Sequence, residues 1–387
     1  MTKKKPIEKE AKAPTKVVNT DVLKLVTDIN KKFGNNAVRT GQQVVEEDYD
    51  EDGNIPRIPT GNVSLDIDLG GGIPIGRFSQ FSGGFSTTKS TQCWHVVANA
   101  LKMGLVCAVF DAEGTNTNKY GDPDFDYLNN FGITKEHYDS GQLIMIRPDS
   151  LEECTEICLR LQRSGHVHLA LIDSVAVLEP MKVLDSAMDE TVQMGLKQKL
   201  LSEFFSKYQL ANNRLVREGK DGFTLICINQ LREKIGAYGD PEYEPGGRAL
   251  GFTLSVNIRL RQGDLLKDDT KEIVGQVVKY KISKNKTGMR MISGEFDCYL
   301  NENTIGVPQF HSDNVKSIII EGVNYDFIQK GGAWYYLNKG TKDELKFQGL
   351  DKLVEYIRAN PQWIDIIKTK VMEAINSEDV VDYGEEN

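Results

Sequence analysis

Residues 81–91 read FSGGFSTTKST. Gly83, Lys89 and Ser90 keep the spacing of the phosphate-binding loop G-x-x-x-x-G-K-[ST]. In that loop backbone amides wrap the phosphates, the lysine reaches their terminal oxygens and the hydroxyl holds Mg²⁺. Gly84, Ser86, Thr87, Thr88 and Thr91 complete the candidate cradle. Thr88 stands where the pattern has glycine, a substitution that costs little if φ there is negative. By itself the segment reads equally as a Ser/Thr/Gly-rich turn. Its setting favours the loop, because an apolar run (RFSQFSG) precedes it and a helical pattern follows Lys89, so that amides and a helix N-terminus converge on an anion. Two further apolar runs end in acids, CAVFDAE at Glu113 and LALIDS at Asp173 and Ser174. Ligands of open α/β sheets sit at the carboxyl ends of strands, which puts Lys89, Glu113 and Asp173 in one cleft. There Ser90 and Asp173 would hold a metal ion, and Glu113 would orient or activate a water. Asp173 also reads as a helix N-cap.

The elements that must position these groups alternate. Strand-type runs RFSQFSG, LVCAVFDAE, LIMIRPD, LALIDSVAVL and FTLICINQL are separated by helical patterns, including SLEECTEICLRLQRSG and a segment from Met194 to about Glu218. Apolar strands alternating with helices predict an α/β fold with a mainly parallel central sheet covered on both faces. After Gly246 the runs lengthen and alternate (SVNIRLRQGDLL, GQVVKYKISKNK, GEFDCYLN), which predicts antiparallel strands at one edge. The chain divides as an arm (1–20), a helix DVLKLVTDINKKFG with Asp21 as N-cap and Gly34 as stop, followed by an acidic linker (21–54), a core (55–304), a small C-terminal α/β domain (305–376) and an acidic tail (377–387).

The formal net charge of −9 over 387 residues excludes a general polycation, so any nucleic-acid contact must be local. No apolar run is long enough to span a bilayer or to form a signal peptide, so the expected place is the cytoplasm, with no membrane partner. Six scattered cysteines without C-x-x-C pairs read as reduced core residues.

The chain resembles the RecA-type recombinases, as a divergent or phage-borne relative. The resemblance is carried, in the family's order, by FGNNAVRTG, IPTGNVSLDIDLGGGIPIGR, GGFSTTKST, VFDAE, LIDSVAVLEP, MGLKQKLLS, INQLREKIG, PGGRALGF, KISKNK and GGAWYY, over roughly residues 21–375. It implies a RecA-like P-loop core with an N-terminal polymerisation helix, the cofactors ATP and Mg²⁺, and a filament built head-to-tail on single-stranded DNA that pairs it with homologous duplex. Glu113 would be the catalytic base, Tyr120 would stack on adenine, and Gln230 would sense the γ-phosphate. Lys284 and Lys286 match paired lysines that reach the neighbouring subunit's ATP in trans. Phe252 matches an apolar interface position. DNA loops fall at about 181–194 and 231–247, with Lys199 and Ser202 beyond the first and Arg232, Lys234, Ile235, Gly246, Gly247 and Arg248 in or beside the second. Cations would meet phosphates, and Ile235 would wedge between bases.

Departures from the family pattern are Thr88 for glycine, Gly84 for the usual proline, Phe85 for a frequent glutamate, and an atypical MKVLDSAMDETVQ in the first DNA loop. Read without the resemblance, the lysines are two cations on an edge strand, and the second DNA loop, with Glu233, Asp240, Glu242 and Glu244, is a plain surface loop. Two other functions compete with the recombinase: a weakly catalytic or non-catalytic paralogue that joins filaments, and a RecA-fold motor ATPase.

Overall fold

Period-two burial builds the centre of the molecule. Cys107 and Val109, Leu169 and Leu171, and Ile226 and Ile228 face one apolar cluster with Trp94, Val97 and Phe131. Their neighbours Ala108 and Phe110, Ala170 and Ile172, and Leu225 and Cys227 face a second cluster with Phe205, Tyr208 and Phe223. Strands buried on both faces in this way need a layer of helices on each side. The computed structural model describes residues 20–34, 37–38, 55–118, 122–186, 195–233, 242–243, 247–288, 292–301, 303 and 305–378. Most of the arm and linker, and the acidic tail from residue 379, lie outside these.

α1 (Thr20–Phe33) starts one residue before Asp21, so that aspartate sits in the first turn rather than at the cap, and Gly34 follows its last residue at φ 98°. β1 (Arg57–Ile58) and β2 (Ile73–Pro74) pair around α2 (Val63–Leu69), whose N-terminus is capped by Asn62. Then come β3 (Phe78–Gly83), α3 (Lys89–Lys102), β4 (Cys107–Asp111), the short α4 (Phe125–Leu128) and α5 (Lys135–Asp139), and β5 (Leu143–Ile146). These are followed by α6 (Leu151–Ser164), β6 (Leu169–Asp173), α7 (Met181–Leu184), α8 (Leu196–Arg217) and β7 (Thr224–Gln230). A small hairpin of β8 (Arg232–Glu233) and β9 (Glu242–Tyr243) leads to α9 (Gly247–Thr253), β10 (Val256–Lys267), β11 (Ile273–Asn285), β12 (Ile292–Tyr299) and β13 (His311–Ser312).

The nine-stranded sheet has the order β13-β12-β11-β10-β3-β7-β6-β4-β5. From β10 to β5 every neighbour pair is parallel, and β10 to β13 pair antiparallel. The expected antiparallel extension is therefore present. β11 lies between β10 and β12, however, so Lys284 is not on an edge strand. α3 packs on the first cluster, and α6 and α8 on the second.

The C-terminal part adds α10 (Asn314–Asn324), a three-stranded sheet of β14 (Gln329–Gly331), β15 (Trp334–Leu337) and β16 (Leu345–Gln348), then α11 (Leu350–Ala359) and α12 (Gln362–Glu378). Its core of Ile318, Ile319, Leu353, Ile357, Ile367 and Val371 also takes Ile67 from α2, which fastens this part to the main body.

Candidate nucleotide and DNA sites

The candidate phosphate loop joins the end of β3 to the start of α3. A Cβ at Gly83 would come within 2.5 Å of the Leu260 carbonyl oxygen and 2.6 Å of the Thr87 hydroxyl, so only glycine fits. The Gly83 carbonyl accepts from the Leu231 amide at 3.1 Å, the Gln276 side chain donates to the Ser86 carbonyl at 2.8 Å, and the Thr87 hydroxyl donates to the Gly84 carbonyl at 3.0 Å. Under the loop a buried polar chain crosses three strands: Asn229 donates to Gln80, and Gln80 to Asn257, each at 3.1 Å. These hydrogen bonds tie the three strands together and offset part of the cost of burying the amides.

Thr88 takes φ 62° and ψ 21°, the left-handed region, as does Ser86 at φ 56°. The condition under which threonine would cost little is thus not met: a β-branched residue occupies a conformation in which Cβ crowds the backbone, at a cost of about 1–2 kcal/mol. Its hydroxyl is buried and has no hydrogen-bond partner.

Lys89 is the first residue of α3 and is only 9% exposed. Its ammonium donates to the Gly84 carbonyl at 2.5 Å and lies 3.4 Å from the Thr87 hydroxyl. Burial lowers its pKa, and the charges of Asp173 and Glu113 oppose that shift. Asp173 ends β6 and is 1% exposed. Neither of its carboxylate oxygens makes a hydrogen bond of ordinary geometry. Burial raises its pKa to about 6, and the charges of Glu113 and Asp111 add to the rise, whereas Ser90 and Asn116 pull it down. A buried, orphaned carboxylate beside Ser90 suits a divalent cation that takes its other ligands from phosphates and water. No helix starts at Asp173, so it is not an N-cap.

Glu113 follows β4. Ser174 donates to its Oε1 at 2.6 Å and Gln230, the last residue of β7, donates to the same atom at 2.9 Å. Lys89, Glu113, Asp173 and Gln230 therefore gather at the carboxyl ends of four strands. Sequence reasoning missed Asp111, which accepts from the Thr115 and Asn116 amides and the Thr117 hydroxyl and so shapes the turn after β4. Asn116 in turn accepts from the Trp94 indole at 3.0 Å. Tyr120, beyond this turn, lies outside the described residues.

The expected DNA residues divide. Lys199 is exposed and Ser202 half-exposed on the first half of α8. Arg232 lies in β8, and Gly247 and Arg248 open α9. Lys234, Ile235 and Gly246, with residues 187–194 of the first loop, lie outside the described residues.

Lys284 and Lys286 are not near the phosphate loop of their own chain. The Lys284 ammonium donates to the Gly251 carbonyl at 2.5 Å and the Lys286 ammonium to the Phe252 carbonyl at 3.0 Å, both at the C-terminal end of α9. That end leads into β10, whose Val256 pairs with Ser79 and whose Leu260 pairs with Gly83. The lysines thus stand at the amino end of β3 and the phosphate loop at its carboxyl end, about 13 Å apart along the strand at 3.3 Å per residue.

A second feature missed by the sequence reading is a basic strip on β10 and β11. Arg259 pairs directly with Lys281, and Arg261 with Lys279. These four cations line a cleft of about 570 Å³ with one acid, Glu295. Like charges placed opposite one another destabilise a sheet unless an anion comes between them. The signals were R-x-R in SVNIRLR and K-x-K in VVKYK, which place the cations on one face at period two.

Comparison with known proteins bears on the whole chain. The RecA N-terminal domain family matches residues 21–305 and the RecA C-terminal domain family matches residues 316–376. Protein RecA of Cutibacterium acnes is 35% identical over 347 residues, covering 89% of this chain and 88% of that protein. Protein RecA of Salinispora arenicola is 35% identical over 355 residues, 90% of each, and that of Clostridium novyi is 34% identical over 354 residues, 91% of this chain and 90% of its own. With the motifs in order and both family domains present, this chain belongs to the RecA family, whose members are DNA-dependent ATPases and recombinases.

Proposed function

We propose that the chain assembles head-to-tail on single-stranded DNA in the cytoplasm, binds ATP with Mg²⁺ between successive subunits, and pairs the bound strand with homologous duplex. The observation that carries this reading is the separation of Lys284 and Lys286 from the phosphate loop of their own chain. Cations at the amino end of the sheet can serve a nucleotide at the carboxyl end only if that nucleotide belongs to another copy. A contact between opposite ends of identical subunits is head-to-tail, and where its rotation does not close into a ring it propagates as a helix. α1, with Val22, Leu25 and Phe33 at least half exposed, supplies an apolar face for the adjacent subunit.

Lys89 sets a point charge against the terminal phosphate oxygens, and Ser90 with Asp173 would hold Mg²⁺. When bound, that ion neutralises charge that builds up on the phosphates. Ser174 and Gln230 both occupy Oε1 of Glu113, so Oε2 is the atom offered to the attacking water. Gln230 ends the strand that leads into the DNA hairpin, and Leu231 holds Gly83, so the nucleotide and the DNA segment share one strand end. Lys199, Arg232, Lys234 and Arg248 would take phosphates of the first strand, and Ile235 would wedge between its bases. The strip of Arg259, Arg261, Lys279 and Lys281 offers a path to a second backbone. Strain at Thr88 favours slower turnover than a glycine loop would give.

The test mixes a subunit carrying Lys284→Ala and Lys286→Ala with one carrying Glu113→Gln. Each is expected to be inactive alone, and mixed filaments on single-stranded DNA should recover hydrolysis at sites that draw the base from one subunit and the lysines from the next. Co-assembled filaments with no recovery at any ratio would defeat the reading.

A further inference from the structure

The two most exposed large apolar side chains among the described residues are Phe85, 84% exposed, and Phe252, 76% exposed. Covering such a ring with another surface removes apolar area from water and is favourable. Phe85 lies in the phosphate loop at the carboxyl end of the sheet, and Phe252 lies near the end of α9 at the amino end. We propose that they pack on each other between successive copies of this chain, Phe85 of one subunit against Phe252 of the next.

The lysines define the register of this contact. Lys89 bonds the carbonyl of Gly84, the residue before Phe85, and Lys286 bonds the carbonyl of Phe252 itself. If Lys89 of one subunit and Lys286 of the next converge on one terminal phosphate, both phenylalanine backbones are drawn within a lysine's length of it. That brings both rings to one interface, where aromatic pairs attract at centroid separations of roughly 4.5–7 Å. A Cβ at Gly84 would meet nothing within 4 Å, so the loop leaves room for the ring to be approached. The contact forms only when two subunits dock, and it joins the loop that grips the nucleotide to the helix that follows the DNA hairpin. An acid at position 85 could not make it. This inference rests on the trans-lysine reading.

Phe85→Cys and Phe252→Cys provide the test, because all six native cysteines are buried and leave the introduced thiols as the accessible pair. The two variants are mixed on single-stranded DNA with a slowly hydrolysed ATP analogue and oxidised with diamide. Covalent dimers are expected, and a chain carrying both substitutions should yield a ladder. Filaments that sediment with DNA but give no cross-link would overturn the pairing. A second measurement does not depend on the thiols. Phe85→Ala and Phe252→Ala should each raise the concentration for half-assembly about two- to ten-fold, and the double variant should cost no more than the larger single effect. Multiplied effects in the double variant would count against direct contact. If the lysine and Glu113 variants complement while the thiols do not join, the phenylalanine pairing falls and the shared site stands. If complementation also fails, the interface reading itself is lost.

Discussion

The two ends of the central sheet solve different problems. At the carboxyl end Lys89, Asp111 and Asp173 are each at most 9% exposed, and the groups around them are held by partners from several strands. At the amino end Phe252 stands in solvent and Lys284 and Lys286 rest on the last carbonyls of α9. Groups that must be ready before the reaction are buried and preorganised, which is where electrostatic stabilisation is largest. The two lysines proposed to act only after assembly are less buried, Lys286 exposed and Lys284 half-exposed, on bonds that a neighbour's phosphates could outcompete. On the proposed head-to-tail assembly, one subunit would carry most of a site at one end and the missing part of its neighbour's site at the other.

The largest effect is expected at the buried end. Lys89→Ala should reduce hydrolysis by at least about a hundred-fold and weaken nucleotide binding even in isolated subunits, read by phosphate release and by titration with a fluorescent nucleotide. Lys284→Ala should leave that titration unchanged. If both variants weaken binding by isolated subunits alike, the contrast between the two ends is lost.

The same end should respond to pH. Asp173 has a folded pKa of about 6, raised from 3.8 first by burial, with Glu113 and Asp111 adding and Lys89 nearby. A raised carboxylate pKa favours the folded chain fully only below the unfolded value, and that contribution is lost as pH rises through about 6. Cation binding needs the ionised form, so Mg²⁺-dependent nucleotide affinity should run the other way, falling below pH 6 toward about ten-fold per unit. Asp173→Asn should flatten the profile. An unchanged slope in that variant would move the titrating group elsewhere. Ionic strength is the lever at the lysine end, where exposed cations are screened.

Gln230→Ala tests the link between the ends. Losing one of the two donors to Glu113 Oε1 should lower DNA-stimulated turnover about ten-fold and the basal rate by a smaller factor. An equal fall in both rates would make Gln230 part of the site without a coupling role.

The smallest effect, opposite in sign, is expected at Thr88. Thr88→Gly relieves a β-branched residue at φ 62° and should stabilise the nucleotide-free chain by about 1 kcal/mol in thermal unfolding, after the entropy cost of an added glycine. A loss of stability would mean that packing of the threonine side chain contributes more than the strain costs.

The local sequence was enough to single out the candidate phosphate loop, the alternation of strands and helices, the acids at the ends of β4 and β6, and the antiparallel edge. Each depends on a strand–turn–helix spacing or on period-two burial that a few adjacent residues determine. The family's motifs carried the lysines, Gln230 and Phe252 as candidates, but no local pattern could locate them. Gln230 meets Glu113 across 117 positions of chain and Gln276 meets Ser86 across 190, and such partners exist only once strand order brings them together. Strand order likewise turned R-x-R and K-x-K into one basic strip, and put Lys284 at the opposite end of the sheet from its own phosphate loop. The sign of φ at Thr88 also belonged to the tertiary structure, because the end of β3 and the start of α3 fix the path between them whatever residue occupies it.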